Sequence, residues 1–200
     1  MLQLAQDPDA DALLDRDPLA LLIGMLLDQQ FPMERAFAGP AGLARRLGVD
    51  RLDARALAEY DPEALAALFT GPPALHRYPA AMAGRVQALA ALVVERYGGD
   101  AAGLWRDVPD GATLLRRLNA LPGFGTQKAQ IFVALLGKQR GVAPPGWREA
   151  AGAYGEEGST RSVADVVDGA SLVRVREYKQ AAKALKKAAG QKAEKKHAAR

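Results

Sequence analysis

The feature that most constrains this chain is its punctuation. Along most of its length a small or acidic residue is followed by proline, then by apolar residues three and four apart, then by glycine, which is the order of helix start, helix face and helix stop. Period-two alternation, the mark of a half-buried strand, is almost absent. Asp17-Pro18 starts a helix through LALLIGMLLDQQ that is apolar on most sides and is therefore expected at the centre of the fold. Pro32 opens the next helix. Asp61-Pro62 launches PEALAALF, which Gly71-Pro72-Pro73 ends. Pro79 begins a long helix whose Met82, Val86, Leu89, Val93 and Tyr97 share one stripe, and Gly98-Gly99 closes it. The pattern predicts an all-α fold.

Further along, GATLLRRLNA and a helix ending near Gly137 are joined by the short turn LPGFG. The stretch GVAPPGWREAAGAYGEEGSTRS then carries prolines, glycines and few apolar anchors, which predicts a long loop with one short helix at Trp147. Loops of that length are commonly functional. From Asp168 a helix resumes with Leu172, Val175 and Leu185 turned inward. The expected organisation is one helical domain over residues 1–178, with the hairpin at 111–137 and a functional loop at 138–167, followed by a basic helix end at 179–200.

With 49% hydrophobic residues in 200, the chain can build one well-packed domain or two small lobes. The absence of cysteine excludes disulfides, thiolate zinc sites and a cysteine-ligated iron–sulfur cluster. His76 and His197 have no companion ligands at useful spacing, so no metal centre built from side chains is expected. The apolar run LALLIGMLL ends at Asp28, too soon to span a bilayer, and the first residues carry acids where a secretory signal carries a basic start. A cytoplasmic protein without a membrane partner is expected. The net charge of +4 averages two unlike parts: residues 179–200 hold eight Lys and Arg against one acid, a local +7 that leaves −3 for the rest. Such an end attracts polyanions, or is only a solvated helix terminus.

The turn LPGFGTQKAQ can do more than change direction. Gly123 and Gly125 can adopt positive backbone angles and have no side chains, so a phosphate can approach the amides of the turn closely. The helix that follows presents unpaired N–H groups and the positive end of its dipole at Thr126 and Gln127, with Lys128 adding a charge. Contacts of this kind hold DNA without reading its sequence. The same residues also serve a plain helical corner in which glycine merely makes the bend.

In context the string resembles the hairpin of the helix-hairpin-helix (HhH-GPD) superfamily of base-excision-repair DNA glycosylases. LIGMLLDQQ resembles that family's early buried helix with its glutamine-bearing end, AMAGRVQALAALVVERYGGD its long helix before the hairpin, and DGATLLRRLNALPGFGTQKAQIFVALLG follows in the family's order and spacing. The resemblance covers roughly residues 18–137. It implies a two-lobed all-α fold with a DNA-facing cleft, chain ends building one lobe and the middle the other. It further implies DNA contacts from Leu121, Gly123, Phe124, Gly125, Thr126, Gln127 and Lys128, a monovalent cation at the hairpin's backbone carbonyls, and a monomer that works on double-stranded DNA in the nucleoid. Gln29 and Gln30 would lie at a helix end that reaches the cleft and fills the gap left by a flipped base, or form an ordinary solvated helix end. Phe31 and Trp147 can stack on an extruded base; a tryptophan in a Gly/Pro loop can equally pin that loop to the core.

The resemblance breaks at the chemistry. Active members carry an aspartate shortly after the second hairpin helix, where it stabilises the cationic sugar; that position falls at about Pro145. The first aspartate after Gly137 is Asp165, preceded only by Glu149, Glu156 and Glu157. Bifunctional members carry a nucleophilic lysine where this chain has Gln127, and Lys128 stands about 100° further around the helix. No lyase activity is expected. Cleaving an N-glycosidic bond still requires charge facing an oxocarbenium-like transition state. Glu149, one turn into the short helix expected near Gly146, is the candidate, against its alternative as an ordinary acid at a helix start. Asp165 and Asp168 share that alternative, Asp168 as an N-cap. The expected function is a monofunctional DNA glycosylase that flips a modified base; the alternative is a non-catalytic DNA-binding or damage-sensing module.

Overall fold

Helix starts in this chain are set largely by aspartate. Asp7, Asp17, Asp53, Asp61 and Asp110 each accept a backbone N–H two or three residues on, and a cap of this kind is worth about 1 kcal/mol. In the computed structural model, which describes the backbone of residues 1–198 and the side chains of residues 1–185, these caps open α1 (Pro8–Arg16), α2 (Pro18–Leu27), α4 (Ala54–Glu59), α5 (Pro62–Thr70) and α7 (Gly111–Asn119). The remaining helices are α3 (Met33–Leu47), α6 (Pro79–Tyr97), α8 (Thr126–Gln139), α9 (Trp147–Ala151) and α10 (Gly169–Ala198). Three short 3₁₀ turns lie at Ala101–Leu104, Gly152–Tyr154 and Val163–Asp165. There is no strand among the described residues, so the fold is all-α. None of the described helices is long and apolar enough to cross a membrane.

The centre is α2, buried from Leu19 to Leu27, as its all-round apolar sequence requires. It packs against α1, α3 and α6. Helices α4 and α5 lie on α6, while α7, α8 and α9 pack on one another. Asp17 binds α2 to a distant segment: one carboxylate oxygen caps Leu19 and Ala20, and the other accepts from Leu52 N–H at 2.8 Å. The expected stripe on α6 is in place, with Met82, Val86, Leu89 and Val93 buried and Tyr97 partly so. Gly98 closes that helix at φ 63°.

Four features differ from the sequence reading. Helices α1 and α4 were not anticipated, and α8 continues two residues past Gly137. Leu185 is exposed, not inward, because after Val175 helix α10 has no buried described residue to continue the face. The charge expected at the basic end from Lys186 onward, and His197, lie outside the described side chains. Finally, the 138–167 segment is well anchored despite its few apolar residues. Gly111 N–H donates to Pro145 O at 2.8 Å, and Gln139 Nε2 donates to Ala164 O at 2.8 Å. Asp165 accepts from Lys138 Nζ at 2.6 Å and from the N–H groups of Arg161 and Ser162 at 3.0 and 3.1 Å. Polar contacts do there what apolar periodicity does elsewhere.

Candidate nucleic-acid interface

The end of α2 and the start of α8 meet. Lys128, in the first turn of α8, donates through Nζ to Met25 O at 2.7 Å and Leu26 O at 2.8 Å, two of the last carbonyls of α2. Gln29 turns back and donates to Leu26 O at 3.1 Å. Its own carbonyl lies 3.2 Å from His76 Nε2. His76 Nδ1 accepts from Tyr78 N–H at 3.0 Å, so the proton belongs on Nε2 and the ring is neutral. Burial holds the imidazole below its ordinary pKa. Gln29 Oε1 accepts from Arg85 Nη1 at 3.0 Å, bringing an exposed guanidinium from α6 to this junction. Gln30, the next residue, is exposed and takes a left-handed φ of 52°, a conformation that costs a non-glycine residue about 1–2 kcal/mol. Of the two glutamines, Gln29 holds the turn and Gln30 is free to reach a ligand.

The two glycines of the hairpin play different parts. Gly123 has φ 78°, and a Cβ there would lie 2.5 Å from Leu26 Cδ1. This glycine permits close docking of the turn onto α2. Gly125 departs from the expected positive angle: it is extended, φ −84° and ψ 171°, and a Cβ there would meet nothing within 4 Å. It is the N-cap of α8 and brings no side chain to that task. The first intrahelical bond of α8 runs from Ala129 N–H to Gly125 O at 3.0 Å, leaving the N–H groups of Thr126, Gln127 and Lys128 without an acceptor in the helix. Gly123, Gly125, Thr126 and Gln127 are exposed.

Several expected contact residues point elsewhere. Leu121 and Phe124 are 3% and 5% exposed, with the Phe124 ring edge-on to Phe132 at 6.1 Å. Their N–H groups donate within the turn, to Leu118 O and Leu121 O, so neither side chain nor amide of these two is offered to DNA. They are core because a hairpin this tight must bury its own apolar residues. Lys128 does not project toward a phosphate; it faces inward, where burial lowers its pKa to about 8 against the opposing charge of Asp28. Trp147 is not open to a base either. Its ring covers Gly137, where a Cβ would lie 2.4 Å from Cε3, and Arg148 stacks on it at 4.6 Å. Trp147 pins the loop to α8. Phe31 is partly buried, 4.6 Å from the His76 ring with Arg35 over it at 4.8 Å.

The acids are placed as follows. Glu149 is exposed on α9 beside a shallow concavity it shares with Arg148, Glu156 and Glu157. Asp165 is occupied by Lys138, Ser159 and the turn amides. Asp168 caps α10 by accepting from Ser171 N–H at 2.6 Å, a bond that lowers its pKa. The acid nearest the junction is one the sequence reading treated only as the end of an apolar run: Asp28 is 14% exposed at its side chain, 4.0 Å from Lys179 Nζ. Tyr154 was also missed. It accepts from Gln127 Nε2 at 2.8 Å, and nothing in a Gly-rich loop marks it out. Arg85 could have been noticed as a charge beside an otherwise apolar stripe. No protein-family model, no curated protein and no solved structure matches this chain.

Proposed function

We propose that the protein binds double-stranded DNA at the junction of α2 and α8 and acts there as a monofunctional DNA glycosylase, a nucleoid-associated monomer that extrudes a modified base and hydrolyses its N-glycosidic bond. The observation that carries this reading is the donor-rich turn. Three N–H groups at the α8 start have no side-chain cap, Arg85 comes to the same turn beside Gly123, and the exposed Gln30 follows the end of the buried helix α2. A phosphate satisfies the first set, and a free glutamine can occupy the space an extruded base leaves. The resemblance also implies a monovalent cation at the hairpin carbonyls. Leu121 O and Gly125 O each accept one N–H and so keep a lone pair for such an ion, which would add positive charge facing the phosphate.

No lysine stands at Gln127, whose side chain is engaged by Tyr154, so the product is an intact abasic strand that breaks only after alkali. The carboxylate for the sugar is assigned to Glu149, with Asp28 next in line by position. A screen over duplexes carrying a panel of modified bases tests the activity. Glu149→Gln should lower base release by about 10² with binding retained; full activity in that variant moves the assignment to Asp28, tested by Asp28→Asn. Duplex binding should weaken steeply from about 50 to about 200 mM salt, and equal affinity across that range overturns DNA as the partner. One observation favours the second reading, a non-catalytic DNA-binding or damage-sensing module: the first aspartate after the hairpin, Asp165, has both oxygens engaged in local structure. Release of no base from the panel, with binding intact, establishes that reading instead.

A further inference from the structure

One residue beyond Gln30, Phe31 opens onto a groove of about 330 Å³. Its floor is one face of α3, with Arg35, Gly39, Gly42, Arg45 and Arg46 at helical spacing, and its wall is the 72–75 segment. No carboxylate lines it. Arg46 is engaged, donating to Leu68 O and to Pro73 O at 2.6 Å. Arg35 and Arg45 are exposed. The adjacent acid, Glu34, pairs with Arg176 and lines a different concavity. Arginine in the last turn of a helix is favoured by the helix dipole, which accounts for Arg45 and Arg46 without any ligand. Arg35 lies in the first turn of α3, where the dipole opposes a cation; its guanidinium stacks on Phe31 at 4.8 Å and stays exposed to the groove.

We infer that this groove is a second phosphate track, which takes the phosphodiester backbone of the DNA held at the hairpin, so that the duplex is gripped on both sides of the Gln29-Gln30 turn. The inference rests on the DNA-binding reading above. Guanidinium groups match phosphate oxygens in a two-pronged geometry. Arg35 and Arg45 are ten residues apart, about 15 Å along the helix axis, which suits separate phosphates of one strand and is too far for a single small anion. The track is continuous with the junction: Phe31 packs on His76, and His76 lies against the carbonyl of Gln29. Two grips flanking one turn bend a duplex at that turn. Bending unstacks the step between them, which is what extrusion of a base requires.

The test uses the full chain and the double variant Arg35→Ala/Arg45→Ala, leaving Arg46 in place because it holds Leu68 and Pro73. Fluorescence anisotropy on a labelled duplex of about 20 base pairs gives the salt dependence of binding, and energy transfer between labels at the duplex ends gives the bend. The double variant should melt with the wild type, lose about 2 from the slope of log affinity against log salt, at about 0.9 per phosphate, and lose the bend. Arg35→Lys/Arg45→Lys should recover the slope, since charge alone sets it. Wild-type slope and wild-type bend in the alanine variant overturn the track while leaving the hairpin reading in force. A wild-type protein that binds no duplex overturns both.

Discussion

The C-terminus of α2 and the N-terminus of α8 face each other and are finished in opposite ways. The carbonyls of α2 are closed from within, Met25 and Leu26 by Lys128 and Leu26 again by Gln29. The N–H groups of α8 are left open by Gly125, in a chain that sets aspartate at the start of α1, α2, α4, α5 and α7. Closing the acceptors internally and leaving the donors open gives the junction a surplus of donors. A partner that brings acceptors, such as a phosphate, fits that surplus, and a partner that brings donors does not.

The largest effect should come from opening the closed end. Lys128→Ala leaves the buried Met25 carbonyl without its donor and Leu26 O with Gln29 alone, and should cost about 3 kcal/mol in urea denaturation. A loss below about 1 kcal/mol would mean that water replaces the ammonium and that the two ends are not finished differently after all. The next contrast lies within the turn. Gly123→Ala forces a side chain into φ 78° and against Leu26, and should cost about 2 kcal/mol. A Cβ at Gly125 meets no neighbour, so Gly125→Val should leave stability within about 1 kcal/mol, yet weaken duplex binding at least about tenfold by blocking approach to the open amides. Equal stability losses in the two variants would reduce the hairpin to a structural corner.

A separate contrast is in pH. The Lys128 pKa falls from 10.5 to about 8 on folding. Between those values the unfolded chain holds more protons, so this group makes stability rise with pH across that window. His76 is lowered from 6.5 by burial; the unfolded chain again takes up the proton first, and stability falls as pH drops below 6.5. Denaturation midpoints measured against pH check both, and Lys128→Met should abolish the alkaline rise alone.

The parts of the fold legible in the sequence are those that end in proline, glycine or a capping acid. Helix α1 carried the same signal, Asp7-Pro8, as α2 and α5, and could have been read. Helix α4 spans only Ala54–Glu59, too short for a hydrophobic period to appear. At the site, the turn glycines and the free Gln30 were visible, whereas the inward turn of Lys128 was not. Its partners are main-chain carbonyls 103 and 102 residues away, and a carbonyl has no letter in the sequence. The same blindness hid the difference between Gly123 and Gly125, since what separates them is whether Leu26 lies against the position.

The chain has two tryptophans, and both rest on the helix that follows the hairpin. Trp105 meets Phe132 edge-on at 5.8 Å, and Trp147 covers Gly137. Intrinsic fluorescence therefore has one subject in this protein, the seating of α8. A duplex that docks at Thr126 without shifting the helix leaves the emission spectrum as it was, and a spectral change on mixing records displacement of α8, not a base lying on an indole.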